Sequence, residues 1–200
     1  MTPQILEKTT SIKEQRFLLP GCHSWQEFKA IQTFMEEVPG IRLTYLDGFI
    51  ELMTIGEPHE MIKVILSFLL QLYFCEMGIE YVPVGSATRE VEGQKVSFEP
   101  DESYYISEKG NKEHPDLAIE VIITSGNIKK LAKYSRLQIP EVWFWETNNL
   151  SLYRLRDQDY EPISRSEFLP ELDLDLLVRC VLMPSRLEAR KEFLNGIHRQ

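Results

Sequence analysis

Cysteine is scarce in this chain of 200 residues: Cys22, Cys75 and Cys180 stand far apart, and no CxxC occurs. That excludes a disulfide framework and a zinc ribbon and points to a reducing compartment. Long apolar runs are missing too. The most apolar stretch, residues 61–75, is broken by Lys63 and Gln71 and is too short to span a bilayer, so it reads as a buried amphipathic helix. The first twenty residues hold no apolar run of the kind a secretory signal needs. A cytoplasmic protein without a membrane partner is therefore expected. Internal repeats and low-complexity blocks are absent. Basic charge is in deficit, with Lys+Arg 22 against Asp+Glu 31 and a net of -9. A chain this acidic does not coat polyanions indiscriminately.

What is present is globular. Hydrophobic residues at 43% and charged residues at 26% can build a core and exclude a wholly disordered chain. Residues 1–19 read as a lead-in, 20–183 as one domain and 184–200 as a helical tail. A helix is predicted over 25–37, then a hairpin over 41–53 around Asp47-Gly48, the strongest short-range turn signal in the chain. Ile62, Ile65, Leu66, Leu69 and Tyr73 recur at helical spacing and predict a helix over 58–78. Short strands follow at 81–84, 87–91, 96–98 and 103–106. The run 116–123 is the most apolar strand and belongs in the middle of a sheet. A helix over 126–137, a hairpin over 141–155 around Asn148-Asn149, and helices over 172–181 and 187–197 complete an α/β or α+β domain.

Two acids stand out. Asp101 follows Pro100 where a strand begins, and Glu120 lies inside an otherwise apolar strand. A carboxylate is almost never buried without a partner, so Glu120 needs a metal, a cation or a raised pKa. Two carboxylates from adjacent strands suit Mg²⁺, which fills its shell with water and phosphate oxygens. A structural Glu–Lys pair is the equal alternative. Lys129, Lys130, Lys133, Tyr134 and Arg136 follow the strand closely. Lys130 and Tyr134 share a helix face, and a lysine beside a metal-bound carboxylate can orient water or stabilise charge on phosphate. His59 lies three residues before Ile62 and seven before Leu66, so it faces inward. A lone inward histidine is more often a core or capping group than a catalyst. Glu51, at the end of the hairpin, reads as an ordinary surface carboxylate. Asp116 reads as a strand-start residue after Pro115.

DGFIELM…PHE at 47–60, EPDESYYI at 99–106, HPDLAIEVIITSG at 114–126, KLAKY at 130–134 and IPEVWFWE at 139–146 occur in this order. Together they resemble the Uma-two family of restriction-endonuclease-like proteins, common in cyanobacteria, over roughly residues 20–183. The resemblance implies a branch of the PD-(D/E)xK nuclease superfamily. Its fold would be an α/β restriction-endonuclease-like core, a mixed β-sheet flanked by helices, here with additional β-hairpins. Its activity would be Mg²⁺- or Mn²⁺-dependent hydrolysis of DNA phosphodiesters. By position Asp101 and Glu120 would be the metal-holding and catalytic acids. The superfamily's lysine falls at Ile122, so Lys130 of the following helix would replace it. His59 and Glu51 match a histidine and an acid of the family and would join the catalytic set. A homodimer is expected, with the aromatic strand 142–145 as a dimer surface. Ile122 favours a rival: a degenerate nuclease fold kept as a binding or oligomeric interaction module. The net charge sets a limit on DNA binding. Residues 123–156 hold six basic residues against Glu141 and Glu146, so a local basic rim beside the site is expected.

Overall fold

The computed structural model describes residues 14–123 and 131–198. Two sheets carry the chain. The first, antiparallel, has strand order β1-β3-β2-β6-β5. It is built from β1 (Gln15–Leu18), β2 (Ile41–Leu46), β3 (Phe49–Thr54), β5 (Arg89–Val91) and β6 (Val96–Phe98). The second is mixed, with order β11-β10-β9-β8-β7-β4. It comprises β4 (Tyr81–Pro83), β7 (Glu102–Ile106), β8 (Leu117–Ile122), β9 (Glu141–Glu146), β10 (Asn149–Arg156) and β11 (Asp159–Ile163). Only β8 and β9 run parallel, and the connection between them carries a short helix, α3 (Ala132–Arg136). A parallel pair needs such a crossover.

The hairpin at Asp47-Gly48 forms as predicted, with φ of 50° and 93° at the two turn residues. Both are left-handed, as the tight hairpin turn requires. In the second hairpin the turn falls one residue earlier than predicted. Thr147 and Asn148 take the positive φ values, and Asn149 already pairs with Glu146.

β8 sits in the interior of the mixed sheet, and all six of its residues are buried. Leu117, Ile119 and Val121 face a core shared with α2 (Glu57–Glu76), α4 (Leu174–Leu182) and α5 (Arg186–Ile197). Ala118 and Ile122 face a second core with Leu46, Val96 and Phe98 of the first sheet and Tyr134 of α3. A third cluster packs Phe28 of α1 (Trp25–Met35) on Leu43, Tyr45 and Ile50. The helix expected over 126–137 is described only from Leu131 onward.

Three features differ from expectation. β1 lies within the predicted lead-in and pairs with β3. β11 was not legible as a strand, because Pro162 and two acids mark it as an edge. The aromatic strand 142–145 is not a dimer surface. Val142, Trp143, Phe144 and Trp145 are buried, and Trp143 and Trp145 belong to the main core. Its two-sided burial explains the aromatic run that suggested an interface. Among the described residues, no helix is long and apolar enough to cross a membrane.

Candidate active site

The chain passes from one sheet to the other at Glu99-Pro100-Asp101, between β6 and β7. Proline has no N–H for a ladder, so pairing breaks there and the strand changes partners. Asp101 resumes pairing by donating its N–H to Ile119 O at 3.1 Å. β7 and β8 pair Glu102 with Ile119, and one further step of that register sets Asp101 opposite Glu120. Directly opposed residues point to the same face, with Cβ atoms about 5 Å apart.

Asp101 is fully buried, and its carboxylate is saturated. Oδ2 accepts the Val121 N–H at 2.6 Å and lies 3.2 Å from His59 Nε2. Oδ1 accepts from the Arg42 guanidinium on β2. Burial pushes the Asp101 carboxyl up. The hydrogen bond and charge of His59, then Arg42 and the Val121 N–H, overcome this and hold it at about 2. His59 occupies the first turn of α2, fully buried, so its predicted inward direction is met. Burial pulls its pKa down, but its bond to Asp101 and that carboxylate's charge outweigh this, and the net shift is upward.

Glu120 has its own cations and donors. Its Oε1 accepts from both Lys133 Nζ and the Tyr134 hydroxyl. The Lys133 ammonium also lies 4.8 Å from the Phe98 ring centroid and 5.1 Å from that of Tyr134. Such faces attract a cation. Burial, then the charge and hydrogen bond of Glu120, push the Tyr134 phenol well above its usual range, so it remains a donor. The two halves feel each other: the charge of Glu120 acts on Arg42, and that of Asp101 on Tyr134. Around Arg42 lie Glu99 at 3.8 Å and Glu60 at 4.0 Å, and Lys63 binds Glu60 at 2.7 Å.

Asp101, Glu120 and His59 therefore converge. Lys130 lies outside the described residues. Among the described residues, its near neighbour Lys133 is the lysine on Glu120. Glu51 is buried rather than at the surface, and its described partner is Arg16 at 3.1 Å. Arg16 also holds Glu14, whose charge acts on His59, so Glu51 belongs to an adjoining ion network. Asp116 has the strand-start role expected of it, accepting from Ile106 N at 2.8 Å and Lys112 at 2.6 Å. Sequence reasoning missed Arg42. Its signal was a lone arginine in the hairpin strand IRLTYL. Among the described residues of the expected basic rim, Arg136 pairs with Asp47, while Arg154 and Arg156 pair with Glu167.

The paired sheets, the parallel β8–β9 unit and the carboxylates at the β7–β8 junction define an α/β protein with a restriction-endonuclease-like fold. The family model of Uma2, described as putative restriction endonuclease, matches residues 25–183, and the chain belongs to that family. No curated protein matches the chain.

The His59–Asp101 contact predicts a pH dependence of stability. A histidine raised above its ordinary 6.5 contributes stability that is complete below that value and is lost as pH rises through its folded value. Asp101 contributes above its ordinary 3.8, and that share is lost as pH falls through about 2. With a chelator present, the denaturation midpoint should fall as pH rises above 6.5, and His59→Gln should flatten that fall. Parallel declines in both proteins would show that the contact contributes nothing.

Proposed function

We propose that the protein is a divalent-metal-dependent endonuclease that hydrolyses phosphodiester bonds of DNA. The observation that carries this reading is the convergence, at one strand junction, of two buried carboxylates on adjacent strands with a lysine bound to one of them.

The donor set suits Mg²⁺ or Mn²⁺ in kind. Both ions take carboxylate oxygens, and Mg²⁺ needs only one or two protein carboxylates. Among the described residues there is no cluster of three or more His, Cys, Asp or Glu side chains able to hold a metal. A two-carboxylate site does not require such a cluster. Asp101 and Glu120 would hold the ion, with Arg42 yielding its place on Asp101. A bound divalent cation supplies a water of lowered pKa and neutralises charge growing on the phosphate. The chain's own residues do the rest. Val121 N–H and His59 fix the Asp101 carboxylate, leaving the Oδ1 side for exchange of partners. Lys133 keeps a positive charge beside Glu120, where a phosphate oxygen would gain negative charge. Tyr134 orients Glu120 from behind.

A second reading has a specific observation in its favour. Asp101 is already compensated by Arg42 and His59, and Ile122 stands where the superfamily has its lysine. A catalytically silent fold serving as a binding module fits that arrangement. Incubation of supercoiled plasmid with the purified protein separates the two. The enzyme reading expects nicked or linear product with Mg²⁺ or Mn²⁺, none with chelator and none from Asp101→Asn. Absence of Mg²⁺ and Mn²⁺ binding by calorimetry, together with no product, would leave the binding module.

A further inference from the structure

Once the ion pairs of the expected basic rim are set aside, one cationic group stands apart. The Arg89 side chain, partly buried on β5, has no salt bridge and no hydrogen bond among the described residues. Its Nε and Nη2 are wholly buried without an acceptor, as is Nδ1 of His114. Buried guanidinium donors without acceptors are rare and signal a missing partner. The Arg89 charge is felt at His114. The Tyr105 ring lies against both Arg89 and Lys109. Its ring centroid lies 6.0 Å from the Arg89 guanidinium carbon and 5.4 Å from Lys109 Nζ. Its hydroxyl is held away from the cluster's donors by the Glu113 carbonyl at 3.2 Å.

The position is informative. Tyr105 stands four residues after Asp101 along one chain, so both point to the same face of the mixed sheet, about 13 Å apart. Arg89 pairs with Phe98 in the first sheet, just before the crossing to Asp101. Between them Ser103 binds the Gly85 carbonyl at 2.9 Å and fixes the chain that leads into β5.

We propose that Arg89, His114 and Lys109 bind a backbone phosphate of the nucleic acid whose scissile bond lies at Asp101 and Glu120. This rests on the nuclease reading above. An arginine fork matches phosphate oxygens in a bidentate way, and a phosphate would satisfy both orphaned guanidinium nitrogens together. His114 supports the same anion. Burial lowers its pKa, Glu113 works the other way, and Arg89 lowers it again, so an added negative charge would stabilise its protonated form. The site also answers the acidity of the chain, because it gives local phosphate affinity without a basic surface.

The test compares wild type, Arg89→Gln and Arg89→Lys, all checked for unchanged melting temperature, with a chelator present. Each is titrated with a fluorescent DNA duplex over a range of salt, and with inorganic phosphate while the His114 ring is followed by NMR. The proposal expects duplex affinity to fall on the order of tenfold in Arg89→Gln, less in Arg89→Lys, with the salt slope reduced by about one. Equal duplex affinity and slope in all three proteins would overturn the proposal and leave the nuclease reading standing. No duplex binding by wild type, with or without Ca²⁺, would overturn both as claims about nucleic acid. In that case a phosphate-induced His114 shift, lost in Arg89→Gln, would assign the cluster to a small phosphate instead.

Discussion

Asp101→Ala is expected to remove about 3 kcal/mol of folding stability in addition to abolishing cleavage. The reason lies in what the carboxylate leaves behind. Three groups converge on it: the Arg42 guanidinium, the His59 imidazole and the Val121 N–H. Arg42 is buried, and breaking a buried ion pair by deleting one partner strands the other charge at a cost of about 3–5 kcal/mol. The lower end applies here, because Glu99 and Glu60 lie 3.8 and 4.0 Å from the guanidinium and take over part of its charge. The carboxylate also accepts the Val121 N–H of β8, so its loss removes that acceptor from the strand. Urea unfolding of Asp101→Ala, Arg42→Ala and the double variant measures the pair directly. The double variant should be more stable than the sum of the single losses by about 1–3 kcal/mol. A loss below about 1 kcal/mol for Asp101→Ala would mean that Arg42 does not depend on this carboxylate.

The two acids were legible because each breaks a local rule. Glu120 interrupts an apolar strand, and Asp101 follows a proline at a strand start. His59 was legible in direction, from its spacing to Ile62 and Leu66, but its partner lies 42 residues away and has no local sign. Arg42 was hidden by the hairpin's own pattern. A polar residue in an alternating strand reads as outward, and only the second sheet, arriving through β6, turns that side into an interior. Glu51 was misread for the same kind of reason. Its partner Arg16 lies on β1, too short and too polar to announce itself as a strand. The basic segment illustrates the limit of counting charge along a chain. Its arginines are in the right stretch of sequence, but they point to Asp47, Glu141 and Glu167. Asp47 is 89 residues from Arg136 and Glu167 falls beyond the end of the summed segment, so neither enters a local sum.

Lys133→Met should lower the cleavage rate by about 10²–10³, the scale seen when one preorganised charge-stabilising donor is removed. Methionine keeps much of the length of the stem between Phe98 and Tyr134, so the expected loss is of charge rather than packing. Affinity for uncleaved duplex should change little, because the ammonium is engaged with Glu120 rather than free at the surface. Lys133→Arg should recover part of the rate, since it restores a cation on the same stem. Tyr134→Phe is the milder companion. It removes the second donor on Glu120 Oε1 while leaving the lysine, and it should shift the pH–rate profile more than the maximal rate. Lys130→Met belongs in the same series, because the family motif points to Lys130 while the ion pair on Glu120 is made by Lys133. If Lys130→Met were inactive and Lys133→Met retained full rate, Lys133 would be a structural counter-ion and the charge on the phosphate would fall to Lys130. The reverse result would mean that the lysine's place was set by the reach of α3 to Glu120, with the side chain four residues from Tyr134 giving way to the one beside it.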